Sequence, residues 1–284
     1  MLLIPGNSGC SVEIITRPGE TFVKKATSNN LYIPRLKTQL EKQIAFRDIL
    51  NNLENMSTPR VIKADQEEGH FSFCMEYKGL LDCITFLSIS GKKDIDRFFN
   101  SILNLINYEI KCSNRSEDKI GDFLSKYDTT ISEIYDKKLI SDSLLSKIDK
   151  VMNSHSKMKI PIGLCHGDLT FSNMLIGKNA KEICLIDFLD NFVESPIQDM
   201  VKVRQDTRFF WTSRMSKGCF DRTRNNIVMS HLDSKFHNAF KRHEFYNEFY
   251  KSFQILNILR IFRYTSDRNT IDYLVKCLEC MVKI

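Results

Sequence analysis

The chain has 284 residues, of which 42% are hydrophobic and 27% charged, and its formal net charge is +6. This composition is typical of a folded globular protein with room for one large domain or two lobes, and it excludes a collagen-like or largely disordered chain. The lysines and arginines are interspersed with acidic residues, so the sequence does not predict a nucleic-acid-binding protein.

Nine cysteines are scattered from Cys10 to Cys280 without regular spacing. An odd number of cysteines in no framework pattern is typical of a reducing compartment, so we expect a cytoplasmic protein without disulfides. Residues 1–4 do not resemble a signal sequence, and no apolar run approaches the roughly 18 residues that span a bilayer. The pair Cys277 and Cys280 is interpreted as two packing thiols on a helix.

The first 78 residues predict a small antiparallel sheet and one helix. Strands are indicated where apolar residues run or alternate between turn residues, at 2–4, 12–15, 21–26, 61–64 and 71–77. Between Pro34 and Leu53, leucine and isoleucine recur at near-helical spacing, which predicts a helix after the third strand.

From residue 79 the apolar periodicity becomes helical. Helices are predicted at 95–110, 120–139, 143–151 and across the tail from 231 to 282. We interpret the change near residue 78 as a boundary between an N-terminal lobe, 1–78, and a mainly helical C-terminal lobe, 79–284. The sequence therefore predicts a two-lobed α+β fold, with ligands bound where the lobes meet.

The segment 164–190 carries the most informative pattern. Asp168 and Asn173 precede the apolar run 174–176, and a second apolar run, 183–186, ends at Asp187. If the two runs pair as an antiparallel hairpin, Asn173 and Asp187 lie side by side at one sheet edge.

These residues suit phosphoryl transfer. The Asn173 amide oxygen and the Asp187 carboxylate are hard oxygen ligands of the kind that Mg²⁺ prefers, with phosphate oxygens and water completing its shell. Asp168 can face the same point as the base that orients and deprotonates a hydroxyl group. His166 is interpreted as a supporting residue that braces the loop through hydrogen bonds.

The motif His166-Gly167-Asp168-Leu169 with Asn173, followed by Leu185-Ile186-Asp187-Phe188, resembles the catalytic and metal motifs of the aminoglycoside phosphotransferase and choline kinase superfamily. The resemblance implies a protein-kinase-like fold, ATP and Mg²⁺ as cofactors, and the roles given above. Two alternatives stay open: a non-catalytic nucleotide-binding module, or pseudokinase, and a metal-dependent phosphoester hydrolase. The choice between ATP and GTP is also open.

The resemblance further implies a nucleotide site in the N-terminal lobe. A loop containing Gly6, Ser8 and Gly9 is expected to cover the phosphates, although the same residues are typical of a simple hairpin turn. Two adjacent lysines on the third strand must point to opposite faces, and Lys25 is favoured over Lys24 as the phosphate-binding residue.

Three further residues complete the implied nucleotide site, and one supports it. Glu41, the only acidic residue between 35 and 46, is expected to form an ion pair with Lys25. Glu76 and Tyr77 end the last strand and resemble the hinge whose backbone receives adenine. In the C-terminal lobe, Asp199 is expected to brace the catalytic loop from the start of a helix.

The acceptor is expected to be a small molecule with a hydroxyl group, such as a sugar, an amino alcohol or an aminoglycoside-like compound. Only eleven residues separate Asp187 from Asp199, which leaves no room for the peptide-binding segment of protein kinases. Ser172 replaces a glycine of choline kinases and argues against choline. Candidates for acceptor contacts are Asp190, Asp206, Arg208, Trp211 and Arg214, although ordinary packing or surface exposure explains each of them more simply. An anionic sugar would suit Lys202, Arg204, Arg208 and Arg214.

Overall fold

The computed structural model describes residues 2–4, 9–116, 119–135, 138–154 and 159–283. Within these residues the chain has the expected α+β architecture, an antiparallel sheet followed by a mostly helical remainder. No helix in these ranges is long and apolar enough to cross a membrane.

Strands dominate the first third of the chain and helices the rest. The strands are β1 (Leu2–Ile4), β2 (Ser11–Arg17), β3 (Glu20–Thr27), β4 (Met56–Ser57), β5 (Val61–Glu67), β6 (His70–Glu76), β7 (Leu81–Asp82), β8 (Asn114–Ser116), β9 (Ile160–Ile162), β10 (Met174–Ile176) and β11 (Ile183–Leu185). The helices are α1 (Ile33–Leu50), α2 (Cys83–Ile89), α3 (Lys92–Cys112), α4 (Lys119–Tyr135), α5 (Asp142–Met152), α6 (Pro196–Thr207), α7 (Trp211–Met215), α8 (Arg222–Phe240), α9 (Glu244–Ile261) and α10 (Arg268–Val282).

The chain divides into two compact units. The first comprises Met1–Leu105, His166–Asp190 and Lys217–Asn225, and the second comprises Ile106–Cys165, Asn191–Ser216 and Asn226–Ile284. The hairpin of β10 and β11, beside which the predicted catalytic residues lie, therefore belongs to the same unit as the N-terminal sheet. The expected lobe boundary near residue 78 stays a prediction.

The first unit contains a five-stranded antiparallel sheet in the order β1-β2-β3-β6-β5. Phe71, Phe73 and Met75 alternate along β6 and so share one face, because successive strand residues point to opposite sides. Leu36 and Leu40 of α1 pack against them and form a buried cluster. The helix thereby lies on one face of the sheet.

The first unit also contains a smaller sheet in the order β4-β11-β10-β7. Its centre is the predicted hairpin, in which Met174 pairs with Leu185 and Ile176 with Ile183. The residues of β10 and β11 are buried apart from the half-buried Leu175. Because this hairpin carries the catalytic motif at its open end, the buried sheet fixes the position of that motif.

The second unit is built around α6, which is buried except for the half-buried Lys202, and α9, most of whose residues are buried. Two buried polar residues of α6 are paired: Gln205 accepts from the Asn257 amide at 2.7 Å, and the Arg204 guanidinium makes two hydrogen bonds to Asp233 at 2.8 and 2.9 Å. The rings of Phe123 and Phe253 stack at 4.5 Å between α4 and α9. Paired polar groups allow a helix that is polar in sequence to lie in the interior.

Candidate active site

The predicted catalytic loop, which runs from His166 to Asn173, is held by His166, a fully buried residue. The backbone N–H of Asp168 donates to His166 Nδ1 at 3.2 Å, so Nε2 carries the proton and donates to the Ile186 carbonyl at 3.0 Å. The His166 ring lies 4.3 Å from the ring of Phe188, centre to centre. Gly167 between the two loop residues has φ +89°, a conformation that favours glycine.

Burial lowers the pKa of His166 to about 4. The positive charge of Lys42 acts in the same direction, whereas the carboxylates of Asp168 and Asp187 oppose it. His166 is therefore neutral near pH 7, with both ring nitrogens hydrogen-bonded. This geometry suits a bracing residue and leaves neither nitrogen free to ligate a metal ion.

Asp168 and Asn173 are joined side by side. The Asn173 amide nitrogen donates to the Asp168 main-chain carbonyl at 2.8 Å and to its carboxylate Oδ2 at 2.9 Å. Since the amide nitrogen is committed to Asp168, the amide oxygen is directed away from it and can act as a metal ligand. Asn173 is buried and Asp168 half-buried, so the carboxylate remains accessible.

Asp187 follows β11 in a left-handed conformation, with φ +63°. The Ile186 N–H donates to the Asn173 carbonyl at 3.0 Å, so Ile186, and not Asp187, stands opposite Asn173. The predicted side-by-side register is therefore wrong by one residue. In a regular strand this slip would turn the two side chains to opposite faces, but the left-handed backbone ends the strand geometry at Asp187.

Of the two adjacent lysines on β3, Lys25 faces the catalytic hairpin. Its ammonium group forms an ion pair with Asp187 Oδ1, and the residue is only 5% exposed. Lys24 is half-buried. The structure thus brings Lys25 to the carboxylate predicted to hold the metal ion.

The predicted ion pair between Glu41 and Lys25 is not formed. Glu41 is exposed, and the buried face of α1 carries Gln39, Lys42 and Gln43 instead. One residue along a helix is a rotation of about 100°, so Glu41 and Lys42 point in different directions. The expectation was wrong because it assigned the inward position to the one acidic residue of the segment.

Lys42 is the site residue that the sequence reasoning missed. Its ammonium group donates to the main-chain carbonyl of Leu189 at 2.5 Å, two residues after Asp187. A lysine rarely lies in the interior, and its inward direction depends on helix phase, which the mixed polar pattern of α1 does not reveal.

The glycine loop lies partly outside the described residues, which include neither Gly6 nor Ser8. Gly9 is described, and a Cβ atom there would lie 2.8 Å from the ring of Tyr32. The Gly9 carbonyl accepts a hydrogen bond from the Thr27 hydroxyl at 2.7 Å. Packing on Tyr32 therefore explains the glycine by itself, and a role of Gly9 toward phosphate stays a prediction.

The predicted hinge residues end β6. The Glu76 N–H donates to the Arg60 carbonyl at 2.9 Å, so this group is already used within the protein. The Glu76 carboxylate lies 3.3 Å from the Lys78 ammonium, and Tyr77 is 42% exposed. A nucleotide base at this position would have to use other main-chain groups.

The donor set fits Mg²⁺. Among the residues that the structure describes, no group of three histidine, cysteine or acidic side chains is arranged to hold a metal ion. Asn173 and Asp187 offer two oxygen ligands, and Mg²⁺ commonly takes one or two protein ligands and completes its shell with phosphate oxygens and water. These two residues would therefore hold the ion against a bound nucleotide phosphate.

Asp199 is fully buried in the first turn of α6. The cap of this helix is Ser195, whose hydroxyl accepts from the Ile197 N–H at 3.2 Å. The Asp199 carboxylate therefore lies near the positive end of the helix dipole, where a negative charge is stabilised. Its expected action on the catalytic loop stays a prediction.

Two residues considered for binding the acceptor make buried hydrogen bonds within the protein. Asp206 is fully buried and accepts from the Thr212 N–H at 2.6 Å, and Arg204 is held by Asp233. For these two residues the structure agrees with the packing alternative and not with an acceptor role, because both side chains are buried and hydrogen-bonded within the second unit. The remaining candidates are at least partly accessible: Asp190, Lys202, Arg208, Trp211 and Arg214.

Comparison with known proteins agrees with this site. A choline/ethanolamine kinase family model matches residues 104–189, which is less than a third of the chain but includes the catalytic hairpin. A search of curated proteins finds no match.

Solved structures show the same fold. The apo form of a thermostable mutant of aminoglycoside phosphotransferase APH(4)-Ia matches with a TM-score of 0.60 and 8% identity, covering 99% of this chain and 93% of that chain. A further variant of that thermostable mutant, in a ternary complex with ADP and hygromycin B, matches with a TM-score of 0.58 and 10% identity over 99% and 92%. A type I macrolide 2'-phosphotransferase matches with a TM-score of 0.57 and 12% identity, covering 98% of this chain and 90% of that chain.

The fold is thus that of kinase-like phosphotransferases, and the hairpin within it matches the choline/ethanolamine kinase family. The shared fold and the partial family match agree with the resemblance carried by the motifs.

Proposed function

We propose that the protein transfers the γ-phosphoryl group of ATP to a hydroxyl group of a small molecule, with Mg²⁺ as the metal cofactor. The observation that carries this proposal is the constellation within the first unit. Asp168 is hydrogen-bonded to Asn173, and Lys25 is paired with Asp187. A base, two oxygen ligands and a cation are the groups that phosphoryl transfer requires.

Each residue then has a defined task. The Asp168 carboxylate accepts the proton of the acceptor hydroxyl as that oxygen bonds to the γ-phosphorus, while the bond from this phosphorus to the β,γ-bridging oxygen breaks and ADP leaves. The Asn173 amide fixes the orientation of the carboxylate. Asn173 and Asp187 would hold Mg²⁺, which supplies charge neutralisation at the phosphate oxygens when bound. Lys25 would contribute its ammonium group to the same phosphates, since it already lies at Asp187.

The two alternatives have less support. A phosphoester hydrolase that uses His166 as a metal ligand would have to break the hydrogen bond of the ligating ring nitrogen, either the bond to the Ile186 carbonyl or the bond from the Asp168 N–H. A non-catalytic nucleotide-binding module would not need Asp168, yet its carboxylate is both accessible and oriented by Asn173.

The donor and the acceptor are supported to different degrees. A structure with the same fold binds ADP, which favours an adenine nucleotide. The family match at 104–189 favours amino alcohols as the first acceptors to test. Because Arg204 is buried and bonded to Asp233, the case for an anionic sugar is weaker. The cytoplasm remains the proposed compartment, because an odd number of cysteines without framework spacing is typical of a reducing environment.

The test is an acceptor screen with ATP and Mg²⁺. Purified protein would be incubated with choline and ethanolamine, neutral sugars, sugar phosphates and aminoglycosides, and ADP release followed for the wild type, Asp168→Ala and Asp187→Asn. We expect acceptor-dependent ADP release that both variants abolish. Phosphoester hydrolysis without nucleotide would support the hydrolase, and tight ATP binding without turnover on any acceptor would support the pseudokinase.

A further inference from the structure

The backbone around Asp187 is held on both sides of the residue. The Ile186 carbonyl accepts from His166 Nε2 at 3.0 Å, and the Leu189 N–H donates to the His166 carbonyl at 3.0 Å. The Leu189 carbonyl accepts from the ammonium group of Lys42 at 2.5 Å. His166 belongs to the catalytic loop itself, whereas Lys42 comes from α1, which packs on the N-terminal sheet.

These contacts matter because the conformation of Asp187 is unfavourable on its own. A residue other than glycine in the left-handed region costs about 1–2 kcal/mol, so neighbouring contacts must keep it there. The direction of the Asp187 carboxylate depends on this backbone conformation. A contact that fixes Leu189 therefore acts on the orientation of the carboxylate.

The burial of Lys42 indicates that the contact is built into the fold. The residue is 6% exposed in the interior of α1, where lysine is seldom found. The neighbouring Gln43 is buried as well, and its amide donates to the Pro59 carbonyl at 2.8 Å. This face of the helix therefore supplies hydrogen-bond donors to main-chain carbonyls rather than a carboxylate to Lys25.

We propose that Lys42 is a positioning residue, which holds the Asp187 carboxylate in the direction needed for metal binding through its hydrogen bond to the Leu189 carbonyl. The inference rests on the proposed function, because it takes Asp187 as a metal ligand. Lys42 acts through the backbone and does not itself contact the nucleotide. In this protein α1 therefore acts on the proposed metal site indirectly, through the hydrogen bond of Lys42 to Leu189, two residues after Asp187.

The experiment measures metal binding separately from nucleotide binding. Mn²⁺ would be titrated into the protein–ADP complex and free Mn²⁺ followed by electron paramagnetic resonance, while ADP affinity without metal would be measured by calorimetry in EDTA. The variants are Lys42→Met, Lys42→Gln and Lys42→Arg. Lys37→Met is the matched control, since Lys37 lies on the same helix, half-buried, with its ammonium 5.7 Å from the Phe71 ring centre.

We expect Lys42→Met to weaken Mn²⁺ binding about tenfold, the usual result when a residue that orients a metal ligand is lost. The metal-free ADP affinity should stay within about twofold, because the nucleotide contacts do not change. Lys42→Gln should show the same selective loss, which keeps the question answerable if Lys42→Met does not fold. Lys42→Arg should recover most of the Mn²⁺ affinity, and Lys37→Met should match the wild type.

Wild-type Mn²⁺ affinity in both neutral variants would overturn the proposal. So would an equal loss of metal and metal-free ADP binding, because a purely structural lysine would produce that result. If the wild-type protein binds no Mn²⁺ in the presence of ADP, the proposed function itself fails. Normal Mn²⁺ binding by the wild type and by both neutral variants would leave that function intact and reject the role of Lys42 alone.

Discussion

Arg204 in the second unit and Lys42 in the first unit are buried cations with different hydrogen-bond partners. In the second unit, the Arg204 guanidinium makes two hydrogen bonds to the Asp233 carboxylate, accompanied by the Tyr246 hydroxyl at 2.6 Å. In the first unit, Lys42 donates to a main-chain carbonyl beside a predicted metal ligand. The Arg204 pair joins elements of the second unit. Lys42 lies beside the catalytic loop, where its positive charge adds to the burial that lowers the pKa of His166.

The largest expected effect is a loss of stability caused by a substitution in the second unit, with metal binding in the first unit unchanged. Arg204→Met should lower the free energy of unfolding by about 3–5 kcal/mol, because Asp233 and the Tyr246 hydroxyl lose a buried partner. Urea denaturation measures this change, and Mn²⁺ binding to the ADP complex of the folded variant should stay within about twofold. A loss below about 1 kcal/mol would show that the arginine network is not what holds α6.

The next effect tests which lysine of β3 serves the chemistry. Lys25→Met should lower kcat/KM for ATP about 100-fold, as removal of one charged group from a phosphoryl-transfer site commonly does. Lys24→Met is the matched control and should remain within about twofold of the wild type. Steady-state kinetics with a saturating acceptor decide the question, and similar losses in the two variants would contradict the assignment.

The pH dependence of stability should report the burial of His166. Its pKa is about 4 in the folded protein and about 6.5 when unfolded, so the unfolded chain binds more protons between these values. The contribution of a neutral His166 is therefore complete above pH 6.5 and is lost as the pH falls toward 4. By pH 5 the loss should be about 2 kcal/mol.

His166→Gln provides the comparison for this pH effect. Urea denaturation of both proteins at pH 7 and pH 5 should show a fall in the unfolding free energy that is about 2 kcal/mol larger in the wild type. Equal falls in the two proteins would mean that His166 is charged, or accessible to protons, in the native state.

The smallest expected effect concerns Glu41. This side chain is exposed on α1. Glu41→Gln should therefore change the unfolding free energy by no more than about 0.5 kcal/mol and kcat/KM by no more than about twofold. The same kinetic and urea measurements apply. A large loss of activity would instead support the ion pair between Glu41 and Lys25 that the sequence predicts.

Elements that have a long apolar period, or apolar runs next to each other in the sequence, are predictable from the sequence. The apolar period at 95–110 predicts α3, and the two runs beside the catalytic motif predict the hairpin of β10 and β11. Asp168 and Asn173 can be assigned together because they lie on one short loop. Strands β4 and β7 have two residues each, too few for any periodicity to appear.

Features set by tertiary packing are not predictable in this way. The buried face of α1 carries Gln39, Lys42 and Gln43, so polarity does not distinguish it from the solvent face that carries Glu41. The register between Asn173 and Asp187 is missed because a period of two cannot indicate where the backbone turns left-handed.

The left-handed backbone of Asp187 has a practical consequence for trapping reaction complexes. Asparagine adopts this conformation readily, and this chain already places Asn55 and Asn179 there, at φ 65° and 59°. Asp187→Asn should therefore preserve the local fold while removing one charge from the metal site. An alanine would relax the turn as well, so the asparagine variant is the better reagent for crystallising the protein with an unreacted acceptor.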